Sequence, residues 1–553
     1  MEICEDYSNF FEKVLYTFYM KIGELIEGLP VELLCGDANA DVSEIVFDSR
    51  KAGPGALFAA LPGANDKSLD GHDFLEDAYG RGCRIFLVRF VPESFASKKD
   101  ITVLKTDDTR RSLALLSRRF FDYPEKRLKF IALTGTKGKT TISYMLRSIF
   151  EKAGKKVALI GSNGVMYPGF YKKLLNTTPE SHVLHGFLKD MADAGVEYCF
   201  LEATSQGFMM HRTDGIVFDA ALYTNISPDH ISKTEHESFE QYFECKKRIF
   251  DQCKVCYVNR DAELFDSIVA GVPEGLIRTY GFSEDESASR NPAERRDETA
   301  PAACTPLVYQ ATDVRLTRNN NRMSVEFLCA APSWKREMRI DIPGRFNAEN
   351  ALGAICIAGH FGIDPDHIAA GLAGASCEGR MEHVDVPAPY TVLIDFAHNR
   401  LSMEAMMETV KSYSPNRILC VFGLEGDRAH LRRFDSGEIL GRDSDYTILS
   451  DASPRTDNPE KILSDIAEGI ERGGGAGNYE IIRDRHVSIP KILDMAKPGD
   501  IVLLVGKGNV LYEEVFGKLT PIDERDIVKE YFTKAGITQE AAPYPSFATP
   551  GAK

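Results

Sequence analysis

Two hydrophobic patterns alternate along most of the chain. Short unbroken apolar runs, the mark of strands buried on both faces, are followed by longer stretches whose apolar residues recur every third or fourth position. Phe130-Ile131-Ala132-Leu133 is one such run; a glycine-rich turn follows, then TISYMLRSIFEKAG, with helical spacing and Gly154 as its C-terminal stop. KVALIGS, YCFLEAT and AALYTNI are further buried-type strands separated by helical stretches. The last third repeats the style with TVLIDFAH, the helical SMEAMMETVKSY, RILCVFG, YTILSD, the helical PEKILSDIAEGI, YEIIRD and DIVLLVGKG. This alternation predicts an α/β fold of parallel sheets with helices on both faces. In such sheets ligands sit at the carboxyl ends of the strands.

Two segments break the pattern. Residues 283–305, SEDESASRNPAERRDETAPAACT, carry no apolar period and read as an exposed irregular insertion. The tail after Gly536 holds three prolines without periodicity and is expected to fray. No internal repeat is evident.

At 553 residues the chain has room for three or four domains. Its 43% hydrophobic and 27% charged residues exclude a mainly disordered chain or a disulfide-stapled miniprotein. The net charge of −16 argues against unaided binding to nucleic acid or an anionic membrane, but leaves room for a local basic site for a phosphorylated small molecule. No apolar run approaches the ~18 residues of a membrane span. The first twenty residues, MEICEDYSNFFEKVLYTFYM, lack the basic start of a secretory signal. The twelve cysteines have no framework spacing, and Cys253-x-x-Cys256 reads as two reduced thiols. A cytoplasmic protein is expected.

The strongest motif is LTGTKGKTT, Leu133 to Thr141, placed between a strand and a helix as a phosphate loop requires. Gly135 and Gly138 let backbone N–H groups approach phosphate oxygens, with Thr136, Lys137 and Thr141 completing the loop. Lys139 supplies a cation for the β- and γ-phosphates, Thr140 a hydroxyl for Mg²⁺, and the helix N-terminus its positive end. The common pattern G-x-x-x-x-G-K-[ST] is not fully met, since its first glycine falls at Leu133. A phosphate loop alone leaves open a kinase, a switch GTPase, an ATPase or an ATP-dependent ligase; no N-K-x-D guanine motif is present.

Further motifs narrow this. DSRKAGPGALFAALPG from Asp48, NTTPES from Asn176, LEATSQGFMMHR around Glu202, YTNISPDH ending at His230, YFECKKRIF around Lys246, GRFNAENALGA from Gly344, EGRMEHVD around Arg380 and LIDFAHN ending at Asn399 follow in order. Together with the phosphate loop they resemble the Mur ligase family, and within it the MurE type, from about Met20 to about Arg525. The first nineteen residues are read as a possible extension.

The resemblance implies a three-domain architecture: an N-terminal UDP-binding α/β domain over 1–106, a central P-loop ATPase domain over 107–378, and a C-terminal Rossmann-like domain over 379–553. It implies an ATP-dependent ligase that adds the third amino acid to UDP-N-acetylmuramoyl-L-alanyl-D-glutamate through an acyl phosphate, in peptidoglycan synthesis. Asp48, Ser49 and Arg50 are then expected near the uridine diphosphate, and Thr177, Thr178, Ser205 and Arg212 near the muramoyl-dipeptide. Glu202, His230 and Lys246, the last as a carbamate, are expected to hold Mg²⁺, with Thr140 holding a second ion. Asn347, Arg380, Asp395 and His398 are the further ATP contacts, and Lys139, Glu202, His230 and Lys246 the catalytic set. Small-molecule partners and a monomer are expected.

The amino-acid end departs from the family. Where the diaminopimelate-adding subtype carries D-N-P-R, this chain has Ala452-Ser453-Pro454-Arg455, so only the arginine survives. Where that subtype has G-K-G-H-E, this chain has Gly506 to Val510 reading G-K-G-N-V, without the glutamate that takes a distal ammonium. Arg455 leans the reading towards diaminopimelate, with lysine or another amino acid open, and Arg428 and Gly506 are further expected substrate contacts. A folylpolyglutamate synthase, a MurF-type ligase and a nucleotide-binding scaffold without catalysis are the competing readings; Thr204 and Gln206, where the family has Ser and His, keep the last in view.

Overall fold

The structure, a computed structural model, describes residues 19–63, 69–228, 236–282, 307–319 and 321–536. The insertion at 283–305, the tail after Gly536, Asp229 and His230 lie outside the described residues, as do the first eighteen. Contacts divide the chain into two compact units. The first holds Met1–Gly135, Lys156–Ala221 and Ile226–Cys256; the second holds Thr136–Lys155, Leu222–Asn225 and Tyr257–Lys553.

The first unit begins with a five-stranded sheet in the spatial order Glu32–Cys35, Thr102–Lys105, Ile85–Val88, Ala56–Ala59 and Glu44–Val46. All neighbours are parallel except the first pair. Alternate residues of each strand go to opposite cores. Leu57, Ala59, Ile85 and Leu87 pack with Leu113, Leu116 and Phe120 of helix Thr109–Phe120. Phe58, Phe86 and Val88 pack with Leu75, Ala78 and Phe95 on the other face. A second run of strands in this unit takes the order Phe170–Lys172, Gly164–Tyr167, Val157–Gly161, Tyr198–Glu202 and Lys129–Thr134. The last three are parallel and apolar along most of their buried length, as the unbroken runs predict, with Thr134 and Glu202 as buried polar ends.

The second unit carries a six-stranded sheet in the order Glu382–Val384, Thr391–Asp395, Ile501–Val505, Ile418–Phe422, Tyr446–Leu449 and Tyr479–Ile481, parallel apart from the edge strand Glu382–Val384. Leu393, Cys420, Phe422 and Leu503 face helices Arg400–Lys411, Leu431–Asp443 and Pro459–Arg472. Val392, Ile394, Val421 and Leu504 face helices Arg485–Met495 and Glu524–Lys534. Helices therefore cover both faces. One feature was not foreseen: Leu307–Asn319, Arg322–Ala330 and Lys335–Ile340 form an antiparallel meander. Its strands mix charged and apolar residues, so they lack the unbroken runs that marked the parallel strands.

Among the described residues no helix is long and apolar enough to cross a membrane. Cys253 and Cys256 are buried free thiols.

Candidate functional site

The phosphate loop joins strand Lys129–Thr134 to helix Lys139–Lys152. Its two glycines have φ of +135° at Gly135 and +92° at Gly138. At Gly138 a side chain is excluded twice, because a β-carbon there would also meet Asn350 Oδ1 at 2.5 Å. Asn225 clamps the loop from strand end Ala220–Tyr223: its carbonyl accepts from Thr136 N at 2.9 Å and its Oδ1 from Lys137 N at 2.9 Å. Thr224 Oγ1 donates to Lys137 O at 2.8 Å. Lys139 Nζ donates to Thr136 O at 3.1 Å, folding back over the loop, and Thr140 and Thr141 open the helix.

Asn347 is 1% exposed. Its Nδ2 donates to Pro343 O at 2.7 Å and its Oδ1 accepts from Asn350 Nδ2 at 2.8 Å. Asn347 thereby holds Asn350 against Gly138.

In the first unit Glu202 ends its strand only 2% exposed. Ser162 N donates to its Oε1 at 3.2 Å and Ser162 Oγ to its Oε2 at 3.0 Å. Gly161 makes room, since a β-carbon there would lie 2.1 Å from Glu202 Oε1. Ser162 Oγ also meets Thr177 Oγ1 at 3.2 Å. Thr178 Oγ1 donates to Glu202 O at 2.8 Å and lies 3.0 Å from Thr204 Oγ1. Thr204, in place of the family's Ser, caps the short helix Ser205–Met209 by accepting from Gly207 N. Ser205 Oγ is hydrogen-bonded to buried His236 Nε2 at 2.8 Å.

Arg212 is held through Nε and Nη2 on Glu180 Oε1 at 2.9 and 2.6 Å, and through Nη1 on Thr178 O at 2.9 Å. Lys246 is 2% exposed, donates to Gly135 O at 2.8 Å and lies 4.8 Å from the Tyr242 ring centroid. Among the described residues no group of three His, Cys, Asp or Glu gathers; His230, the expected third metal ligand, is outside them.

A cavity of about 330 Å³ in the same unit is lined by Arg89, Asp108, Arg110, Met210 and His211, among others. Arg110 reaches from it to Glu180, and the His211 ring lies between Asp108 and Asp214. Arg89 and Arg110 carry no motif and were not legible in sequence. Asp48, Ser49 and Arg50 form a local turn: Asp48 accepts from Arg50 N, Nε and Nη2, which holds its carboxyl below the usual range. Ser49 lies near Asp77 and helps to hold that carboxyl below the usual range.

In the second unit Asp395 ends a central strand and accepts from Met381 N and Ala397 N, both at 2.7 Å. Burial pushes its carboxyl up, against the opposing pull of Arg380. Arg380 lies 5.6 Å from the Phe396 ring centroid. His398 Nδ1 meets Phe396 O at 2.8 Å, and burial lowers its basicity. Gly506, φ +100°, packs where a β-carbon would strike Gly423 O at 1.9 Å. Arg455 and Arg428 meet on one carboxylate that the motifs did not include: their Nη2 atoms lie 3.0 and 3.4 Å from Glu425 Oε2.

A phosphate loop at a parallel strand end, in a chain that also carries a six-stranded α/β sheet, defines a nucleotide-binding α/β protein. The family model "Mur ligase middle domain" matches residues 133–358, and "Mur ligase, glutamate ligase domain" matches 379–508. The UDP-N-acetylmuramoyl-L-alanyl-D-glutamate–2,6-diaminopimelate ligase of Clostridium perfringens is 32% identical over 92% of this chain and 99% of its own length. That of Caldanaerobacter subterraneus subsp. tengcongensis is 32% identical over 93% of this chain and 100% of its own. Among solved structures, one such ligase superposes with a TM-score of 0.65 at 24% identity, covering 94% of this chain and 100% of that one. MurF from Acinetobacter baumannii gives 0.57 at 18% identity, covering 93% and 99%. The chain belongs to the Mur ligase family, in its MurE branch.

Proposed function

We propose that the protein is the ATP-dependent ligase that adds the third amino acid to UDP-N-acetylmuramoyl-L-alanyl-D-glutamate, with meso-diaminopimelate as the preferred amino acid. The observation that carries this reading is the Glu202 environment: a buried carboxylate at a strand end, tied by Ser162 to Thr177 and by its own carbonyl to Thr178, the two threonines of the NTTP segment. Full-length identity to ligases named for this reaction supports it.

A carboxylate is a poor electrophile. In the proposed reaction the D-glutamyl carboxylate attacks the γ-phosphorus of ATP and ADP leaves. The amino group of the incoming amino acid then attacks the acyl carbon, a proton is lost, and inorganic phosphate leaves with the amide formed. The protein's share is positioning and charge stabilisation. Lys139 and the loop N–H groups that Asn225 does not take would hold the phosphates, with Asn225 fixing the loop through the Thr136 and Lys137 N–H groups. Asn347, Arg380, Asp395 and His398 complete the nucleotide contacts in this reading.

Mg²⁺ fits the donors present, which are hard oxygens: the Glu202 carboxylate and the Thr140 hydroxyl. Glu202, His230 and Lys246 would hold one ion and Thr140 another. Bound magnesium would neutralise charge on the phosphates. Lys246 as a carbamate keeps one N–H, enough to preserve its bond to Gly135 O while adding two oxygens.

Asp48, Ser49 and Arg50, with the cavity lined by Arg89 and Arg110, would take the uridine-diphosphate sugar. Thr177, Thr178, Ser205 and Arg212 would take or brace the peptide. The domains are proposed as 1–106, 107–378 and 379–553, in a monomeric cytoplasmic enzyme. Phosphate release, assayed with the UDP-linked dipeptide, ATP, Mg²⁺ and a panel of amino acids, tests the proposal. Nucleotide binding without turnover on any amino acid would favour the scaffold reading instead.

A further inference from the structure

The amino-acid end of the site has lost the family's glutamate: Val510 stands in its place, buried and apolar. It has also lost the polar asparagine. Ser453 is buried and its Oγ accepts from Glu514 N at 3.2 Å, tying the strand end to the hairpin Tyr512–Val515/Lys518–Pro521. A zwitterionic distal group, carrying both an ammonium and a carboxylate, would meet Arg455 with no counter-charge from either motif.

Glu425 supplies that charge from elsewhere in the fold. It follows strand Ile418–Phe422 and pairs as an isolated parallel bridge with Ser453. Gly426 N donates to Ser453 O at 2.9 Å, so the backbone at Glu425 is fixed beside the Arg455 turn. Arg455 itself is held at φ +52°, with its N–H on Glu514 O and its carbonyl accepting from Phe516 N. Both arginine contacts fall on Glu425 Oε2, and Oε1 accepts no hydrogen bond among the described residues. Arg455 Nε is likewise without a hydrogen bond and lies 3.7 Å from Glu514 Oε2. Glu425 thus keeps one unused carboxylate oxygen beside the Arg455 guanidinium, on side chains that are mostly buried (15% and 25% exposed), while Arg455 Nε is enclosed on the Glu514 side.

We infer that Glu425 determines specificity for a zwitterionic third amino acid: its Oε1 receives the distal ammonium while Arg455 receives the distal carboxylate. This rests on the ligase reading above. Charge complementarity at close quarters discriminates against ligands lacking one partner, because a buried charge is then left unpaired. L-Lysine lacks the distal carboxylate, and L-2-aminopimelate lacks the distal ammonium.

The test is steady-state phosphate release by the full chain with the UDP-linked dipeptide, ATP and each of meso-diaminopimelate, L-lysine and L-2-aminopimelate, for wild type and Glu425→Gln. The near-isosteric amide keeps an acceptor for Arg455. The wild type is expected to prefer meso-diaminopimelate. In Glu425→Gln its KM should rise by about 10- to 100-fold, the range of a charge-assisted hydrogen bond, with kcat largely kept. The KM for 2-aminopimelate should stay the same or fall.

Equal rises for both acids would show that Glu425 merely braces Arg455 and would overturn the inference. So would an unchanged KM for meso-diaminopimelate, or a wild-type preference for lysine with the ligase reading intact. Absence of wild-type turnover with all three would overturn the ligase reading itself, and this inference with it.

Discussion

Gly138 and Asn350 approach so closely that no β-carbon fits between them: it would lie 2.5 Å from the Asn350 Oδ1 atom, at a φ of +92°. Gly138→Ala must therefore displace Asn350 or distort the loop, and the backbone conformation alone costs about 1–2 kcal/mol. Turnover and nucleotide binding by calorimetry should both be lost. An alanine variant that binds ATP like wild type would show that the loop does not need this geometry.

Lys139 is the cation of the loop, and its Nζ donates to Thr136 O. Lys139→Ala should abolish turnover and leave the melting temperature within a few degrees of wild type. Wild-type rates in this variant would refute the phosphate assignment.

Lys246 is buried against the Gly135 carbonyl. Lys246→Ala should lose activity, and short carboxylic acids such as acetate or formate should restore part of it by standing in for a carbamate. Mass spectrometry of the native protein at high bicarbonate should show the added CO₂. Absence of both would remove the carbamate and leave Lys246 as a brace for the loop.

Lys507 gives a pH signature. Its Nζ donates to Ala452 O and Tyr512 O, and burial, reinforced by Arg485, pushes it down to about 8. Below that pH both folded and unfolded chains hold the proton, and the burial cost is present in full. Between about 8 and the ordinary 10.5 the unfolded chain binds more protons, so stability rises with pH. Relative to Lys507→Met, wild type should gain up to about 3 kcal/mol between pH 7 and pH 10.5 in denaturant titrations. A difference that does not change with pH would mean that the ammonium is not perturbed.

The parallel strands and their helices were legible because burial on both faces leaves unbroken apolar runs: Phe130–Leu133 lies inside the strand Lys129–Thr134, and the helix ending before Gly154 begins at Lys139. The meander from Leu307 to Ile340 was not, since its strands, Arg322–Ala330 among them, alternate buried with half-buried positions and carry charge. The phosphate loop could be read because its chemistry is contiguous. Ser162, Asn350 and Glu425 could not, because each acts on a partner distant in sequence: Ser162 on Glu202, Asn350 on Gly138 and Glu425 on Arg455. The motif points Asn347 at the nucleotide; in the fold its amide is engaged by Pro343 and Asn350.

The central claim is that ATP cleavage is coupled to joining an amino acid to a UDP-linked dipeptide. Mixing purified protein, ATP, Mg²⁺, UDP-N-acetylmuramoyl-L-alanyl-D-glutamate and meso-diaminopimelate, and following ADP, phosphate and tripeptide together, tests it most directly. The three products should appear in equal amounts, and omission of either acceptor or amino acid should stop tripeptide formation. ATP hydrolysis that proceeds at the same rate without the dipeptide, with no tripeptide formed, would contradict the account.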